Sequence, residues 1–248
     1  MARIKGKKQS LNTQSVEAFF SDRAKRFNPE HPLTAVLYQD KNPALAEERD
    51  AYEKSFALPL LNLTGRETLL DIGCGIGRWA SLIHPHVKCY NGIDFSAGLI
   101  EIAKQQLQIP NVHFHVAGAE DLHFESVTQF APYNRMLIAG LMIYLNDDQI
   151  IKLLEGVLAV ADKDCLIYLR EPLALEKRLT LDDFWSDELS SSYSAIYRTE
   201  AELKALIDSV LSKHVASYAF LPLYSDNKLN NRAETKQFYS MIHIQKAS

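Results

Sequence analysis

The chain has little of what several protein classes require. Its three cysteines, Cys74, Cys89 and Cys165, are odd in number and contain no CxxC pair, which argues against a disulfide framework or a zinc site and for a reducing, cytoplasmic setting. No apolar run approaches the ~20 residues of a membrane span. Positive charge is not in excess: the formal net charge is -4, so no global field would draw nucleic acid, and nucleic-acid partners are not expected. The basic stretch Met1 to Ser10 holds Arg3, Lys5, Lys7 and Lys8 but is followed by no apolar region. It reads as a frayed tail rather than a secretory signal. No internal repeat or low-complexity segment stands out.

What is present is a soluble-protein composition, 47% hydrophobic over 248 residues, enough for one sizeable α/β domain with additions. Residues 1–60 read as a helical cap. Asn42-Pro43 gives an N-cap with proline at the first helical position. From Glu67 onward short apolar strands alternate with helical patterns, which argues for a parallel sheet. The strands expected are Thr68 to Ile72, Lys88 to Asp94, Val112 to Val116, Arg135 to Ala139 and Cys165 to Arg170. Ser96 caps one helix, Asn146 or Asp147 starts another, and Thr199 with Glu202 forms a capping box. Residues 172–198 are polar and aromatic and read as an insertion over the top of the sheet. Val215 to Phe220 and Lys236 to Ile244 are expected to close the sheet as an antiparallel pair.

The segment Leu69-Leu70-Asp71-Ile72-Gly73-Cys74-Gly75-Ile76-Gly77 lies at a strand-to-helix junction. Glycines there let a ligand approach the backbone, and the helix beyond offers free N–H groups. The spacing is G-x-G-x-G, with an acid two places before the first glycine. It departs from the G-x-G-x-x-G of dinucleotide binders, which argues against a dehydrogenase.

This segment resembles motif I of the class I S-adenosylmethionine-dependent methyltransferases. The resemblance continues in order through Tyr90-Asn91-Gly92-Ile93-Asp94-Phe95-Ser96, Ala119-Glu120-Asp121-Leu122, and Met136 to Tyr144. It covers residues 60–170 well and the C-terminal strands loosely. It implies a Rossmann-like, mostly parallel sheet with an antiparallel closing strand, spanning 61–248, with the donor S-adenosylmethionine and the product S-adenosylhomocysteine. Asp71 would orient the glycine loop and contact the methionine amino group, directly or through water. Gly73, Cys74, Gly75 and Gly77 would lie along the donor. Asp94, followed by Phe95, would take the ribose hydroxyls. Ala119, Glu120 and Asp121 would flank the adenine, although Gly118 stands where many relatives have Asp.

The acceptor side is expected from the cap, the loop after the fourth strand and the insertion. Glu171 or His31 is a candidate base, and Tyr144 a third catalytic candidate. Arg170, Tyr193, Tyr197 and Arg198 are candidate acceptor contacts. Arg170 with Glu171 also reads as a structural ion pair, and the two insertion tyrosines as packing. Leu37-Tyr38-Gln39-Asp40, Asn42-Pro43 and Arg49-Asp50 resemble methyltransferases of polysaccharide and natural-product pathways. That resemblance implies a small or sugar-like acceptor, attached to a carrier in some cases, with Tyr38 and Arg49 closing over the donor. Neither an Asn/Asp-Pro-Pro-Tyr/Phe motif nor a Pro-Cys follows the fourth strand. RNA or protein acceptors, cyclisation or aminobutyryl transfer from the same donor, and a non-catalytic donor-binding role remain as alternatives.

Overall fold

The computed structural model describes residues 2–225, 228–230 and 232–246. Its centre is a seven-stranded sheet in the order β4-β3-β2-β5-β6-β10-β9. Strands β2 (Thr68–Ile72), β3 (Cys89–Asp94), β4 (Val112–Val116), β5 (Tyr133–Ala139) and β6 (Ala161–Ala174) run parallel. Strand β10 (Thr235–Gln245) is antiparallel to β6 along its whole length, and the two-residue β9 (Leu221–Pro222) pairs with its edge. The antiparallel closing strand is therefore present. Of its expected partner, Val215 to Phe220, only Val215 bridges to Ile244.

The strands buried on both faces are near-continuous apolar runs, as a covered parallel sheet requires. One core cluster joins Leu70, Ile72, Met136 and Ile138 to α7 (Asp147–Val160) and α8 (Glu200–Leu211). Leu69, Tyr90, Leu137 and Tyr168 point to the other face, with Trp79 and α4 (Ala80–Ile83). Helix α5 (Ala97–Gln106) follows β3 and α6 (Glu125–Thr128) precedes β5. The caps hold as read: Ser96 Oγ accepts from Leu99 N, Asn146 forms a capping box with Gln149, and Thr199 forms one with Glu202.

The N-terminal part contributes three helices, α1 (Thr13–Lys25), α2 (Thr34–Leu37) and α3 (Pro43–Leu60), the last capped by Asn42 with Pro43 in its first turn. Two readings change. Residues Ala2–Lys5 form a strand, β1, rather than a frayed tail; Met1 lies outside the described residues. Ala2 and Ile4 are half-buried while Arg3 and Lys5 are exposed, the alternation of a one-sided strand. Beyond β6, the insertion is a hairpin of β7 (Leu179–Ser186) and β8 (Ser191–Tyr197), and β1 adds to β7 to make a small three-stranded sheet. Hairpin and cap share a core in which Phe19, Phe20, Tyr193 and Ile196 are buried. Among the described residues no helix is long and apolar enough to cross a membrane.

Candidate active site

A cavity of about 520 Å³ opens at the carboxyl ends of the parallel strands, the usual ligand position in an open α/β sheet. The cap, the glycine turn, the loops after β3, β4 and β5, β6 at Arg170 and Pro172, the hairpin, and Tyr224, Leu229, Asn230, Arg232 and residues 235–237 all contribute to its wall.

The turn after β2 is fixed by β3: the N–H groups of Gly73 and Cys74 both donate to the Ile93 carbonyl, at 2.8 and 2.9 Å. Gly73, Cys74 and Gly75 line the cavity. Gly75 has a φ of +55°, and a Cβ there would lie 2.7 Å from Val36 Cγ1. The turn thus fits under α2 only without a side chain. Gly77 does not line the cavity. A Cβ on it would meet the Phe114 ring at 2.7 Å, so this glycine serves the packing of the turn on β4.

Asp71 lies beneath the turn rather than in the cavity wall. It is 2% exposed and accepts the hydroxyl of Tyr90. Burial raises its pKa to about 6, against the Tyr90 hydrogen bond.

Asp94 does line the cavity. Its Oδ2 accepts from Gly75 N at 3.0 Å and its Oδ1 from Ser96 N at 2.9 Å. Burial pushes its pKa up to about 6, although both N–H groups favour the charged form. Phe95 lies beside it, edge-on to Phe20. Across the cavity stand Ala119, Glu120 and Asp121. Asp121 Oδ2 takes the N–H of Gly118 at 3.2 Å, and Glu120 Oε1 takes the amide of Gln149 at 3.0 Å.

The floor carries an ion network missed by the sequence reading. Glu53 on α3, 1% exposed, receives Arg170 Nε at 2.9 Å and Arg78 Nη2 at 2.8 Å. Arg78 also holds Asp50 at 2.7 Å. Burial pushes the Glu53 carboxyl up, but the two guanidiniums outweigh it and hold its pKa at about 2. Arg170 lines the cavity, as does Arg49, whose guanidinium donates to the Leu229 carbonyl at 3.0 and 2.7 Å. Arg78 is the residue after Gly77, where the glycine pattern itself drew attention. Glu53 had only its helical position to mark it.

The roof is aromatic. Tyr38 ends α2 with a φ of +53°. Tyr144 ends the 3-10 turn Met142–Tyr144 after β5, and Tyr193 and Tyr197 share one face of β8. All four line the cavity. The hydroxyls of Tyr144 and Tyr193 are 3.3 Å apart and those of Tyr193 and Tyr197 3.0 Å apart. Burial raises the pKa of Tyr38, Tyr144 and Tyr193, so these phenols stay protonated near neutral pH.

Three candidates lie elsewhere. Glu171 follows Arg170 on β6 and so points to the opposite face of the sheet. It is 1% exposed, and its Oε1 accepts the N–H groups of Leu141 and Met142, both at 2.8 Å. It is not paired with Arg170, whose partner is Glu53. His31 is exposed, 3.6 Å from Glu47, and outside the cavity. Arg198 is buried behind the 3-10 turn, donating to the carbonyls of Met142 and Leu145 and to Asp147. None of the three lines the cavity.

Residues 69–164 match the family model of a methyltransferase domain. An uncharacterized RNA methyltransferase of Listeria innocua is 32% identical over 119 residues, which is 46% of this chain but only 22% of that protein's length. Among solved structures, phosphoethanolamine N-methyltransferase 1 of Haemonchus contortus, in complex with phosphoethanolamine and S-adenosylhomocysteine, superimposes with a TM-score of 0.67 at 16% identity, covering 95% of this chain and 50% of that one. A SAM-dependent methyltransferase of Leishmania major superimposes with a TM-score of 0.62 at 20% identity, covering 91% and 82%. The strand order, the glycine turn and the match across the central strands agree: residues 69–164 match a methyltransferase domain, and the fold is the Rossmann-like one of the solved S-adenosylmethionine-dependent methyltransferases.

Proposed function

We propose that the protein transfers the methyl group of S-adenosylmethionine to a small molecule whose nucleophile needs no base from the protein. The supporting observation is the cavity itself. It is roofed by the cap and the hairpin, and among the described residues its lining contains no histidine. Among its carboxylates, Glu53 is tied to two arginines, Asp94 and Asp121 to backbone N–H groups and Glu120 to Gln149, and Glu17 lies on the exposed face of α1. A neutral amine, or an oxygen already ionised in solution, is the acceptor atom that such a lining serves.

The residues present fit the donor. Each Asp94 oxygen takes one N–H and keeps a lone pair for a ribose hydroxyl. The turn Gly73 to Gly75 allows close approach, and Phe95 with Ala119 to Asp121 flanks the place of the adenine. Tyr38 and Arg49 close the donor in from the cap side. Bound there, the donor supplies a methyl group on a sulfonium, open to in-line displacement. The chain's own part is orientation and exclusion of water, which Phe20, Tyr144 and Tyr193 provide as a buried aromatic wall.

The test is calorimetric titration with S-adenosylmethionine, followed by assay of S-adenosylhomocysteine release with pooled small amines, hydroxy acids and sugars, against bulk RNA as the other arm. Micromolar donor binding with release driven by a small molecule is expected. Methyl incorporation into RNA alone would overturn the small-molecule reading, and release of methylthioadenosine in place of S-adenosylhomocysteine would overturn methyl transfer.

A further inference from the structure

Resting on that reading, the structure assigns an anionic group to the acceptor, a carboxylate or a phosphate, seated between the tyrosine roof and Arg232. The roof has a hydroxyl proton to spare. Tyr38, Tyr144, Tyr193 and Tyr197 bring one hydroxyl proton each, and no described hydrogen bond takes any of those protons to a carbonyl or carboxylate. Hydroxyls bonded in an open chain use one proton fewer than they possess, so at least one O–H is left to donate into the cavity.

Arg232 adds the charge. It stands in the cavity wall within electrostatic reach of Tyr144, Tyr193 and Tyr197, and among the described residues it makes no hydrogen bond or ion pair. A carboxylate acting on it through the field, Glu188, accepts the N–H of Lys41 at 3.0 Å. The acids of the wall are placed elsewhere: Glu53 on Arg78 and Arg170, Asp94 and Asp121 on backbone N–H groups, Glu120 on Gln149, and Glu17 on the exposed face of α1. A ligand that brought only donors or a positive charge to this corner would leave the phenol and the guanidinium without acceptors. A carboxylate or phosphate supplies several acceptor oxygens and a negative charge at once, and hydrogen bonds to such groups are the strong ones.

Calorimetry on the full chain saturated with S-adenosylhomocysteine tests this with three probes: phosphoethanolamine, β-alanine, and ethanolamine, which keeps the amine and lacks the anion. At least one anionic probe is expected to bind about tenfold or more tightly than ethanolamine, the scale of one charged hydrogen bond. Which of the two binds distinguishes phosphate from carboxylate. Arg232→Gln, at an exposed position, is expected to bring that probe down to the ethanolamine level with the affinity for S-adenosylhomocysteine unchanged. Equal binding of ethanolamine, or no binding of either anionic probe, overturns the assignment while leaving methyl transfer standing. So does an Arg232→Gln variant that loses S-adenosylhomocysteine instead of the probe, since the guanidinium then serves the donor's own carboxylate. Failure of S-adenosylhomocysteine to bind wild-type protein would strike the proposed function itself.

Discussion

Arg170 at the end of β6 and Glu53 on α3 are 117 positions apart in sequence and meet at 2.9 Å in a buried ion pair that Arg78 shares. This contact ties the cap to the sheet at the floor of the cavity. A buried pair is strongly destabilising when one partner is removed, because the other charge is left uncompensated. Glu53→Gln leaves two guanidiniums facing a neutral amide and is expected to lower stability by about 3 kcal/mol or more, read in denaturant melts at pH 7. The carboxyl lies near pKa 2, below its unfolded value, so its stabilisation is present above about pH 4 and is lost as pH falls toward 2. The variant and wild type should therefore converge in acid. A constant gap from pH 7 to pH 3 would remove the charge from the account.

On the proposed reading, Asp94 would set the pH dependence of donor binding. With a folded pKa of about 6, its carboxylate is formed at pH 7.5 and largely protonated at pH 5. Affinity for S-adenosylhomocysteine is expected to fall over that interval. Asp94→Ala should weaken binding by roughly 1–3 kcal/mol at pH 7.5, the scale for a lost polar partner. Calorimetry at the two pH values checks both statements; equal affinities would leave the ribose contact without support.

Glu171 supplies a control against the sequence expectation of a base. Its carboxyl holds the turn after β5 and is pushed up by burial to about 7, against the N–H groups of Met142 and Leu141. A carboxyl raised on folding favours the folded state at pH below its unfolded pKa, and that contribution disappears as pH rises through 7. Glu171→Gln should remove this loss. Relative to wild type it is expected to gain on the order of 2 kcal/mol between pH 5 and pH 8, with turnover within a few-fold of wild type. A loss of turnover by orders of magnitude, with donor affinity and melting intact, would restore Glu171 as a catalytic candidate.

Gly75 is constrained by conformation and by space together. Gly75→Ala places a methyl group 2.7 Å from Val36 Cγ1 at a φ of +55°, and should cost roughly 1–3 kcal/mol while displacing α2 from the turn. Adding Val36→Ala relieves the contact but not the backbone strain, so thermal melting of the double variant should recover part of the loss. Full recovery would mean that the φ carries no cost.

The donor half of the cavity was legible because its chemistry is local. Gly73 to Gly77, Asp94 and Ala119 to Asp121 sit at strand ends that apolar runs and caps announce. The acceptor half is made by long-range pairing. Arg170 and Glu171 are adjacent in sequence, yet strand alternation sends one into the cavity and the other behind the sheet, and which one depends on the register of β6 with β5 and β10. His31 was suggested by residue type alone, and an exposed loop holds it outside. Arg198 was placed in the insertion, where the burial of Met142 and Leu145 claims it. Ala2–Lys5 is too short to read as a strand until β7 exists beside it.

The cavity wall draws on two kinds of sequence. Residues 69–164, which match the methyltransferase model, contain the turn, Asp94 and the adenine-side loop. Tyr38, Arg49, Tyr193, Tyr197 and Arg232 all lie outside that span. On the proposed reading, change in the flanking segments would remodel what the protein accepts while the donor seat stays intact, and grafting a cap and hairpin from one such domain to another is the corresponding route to new selectivity.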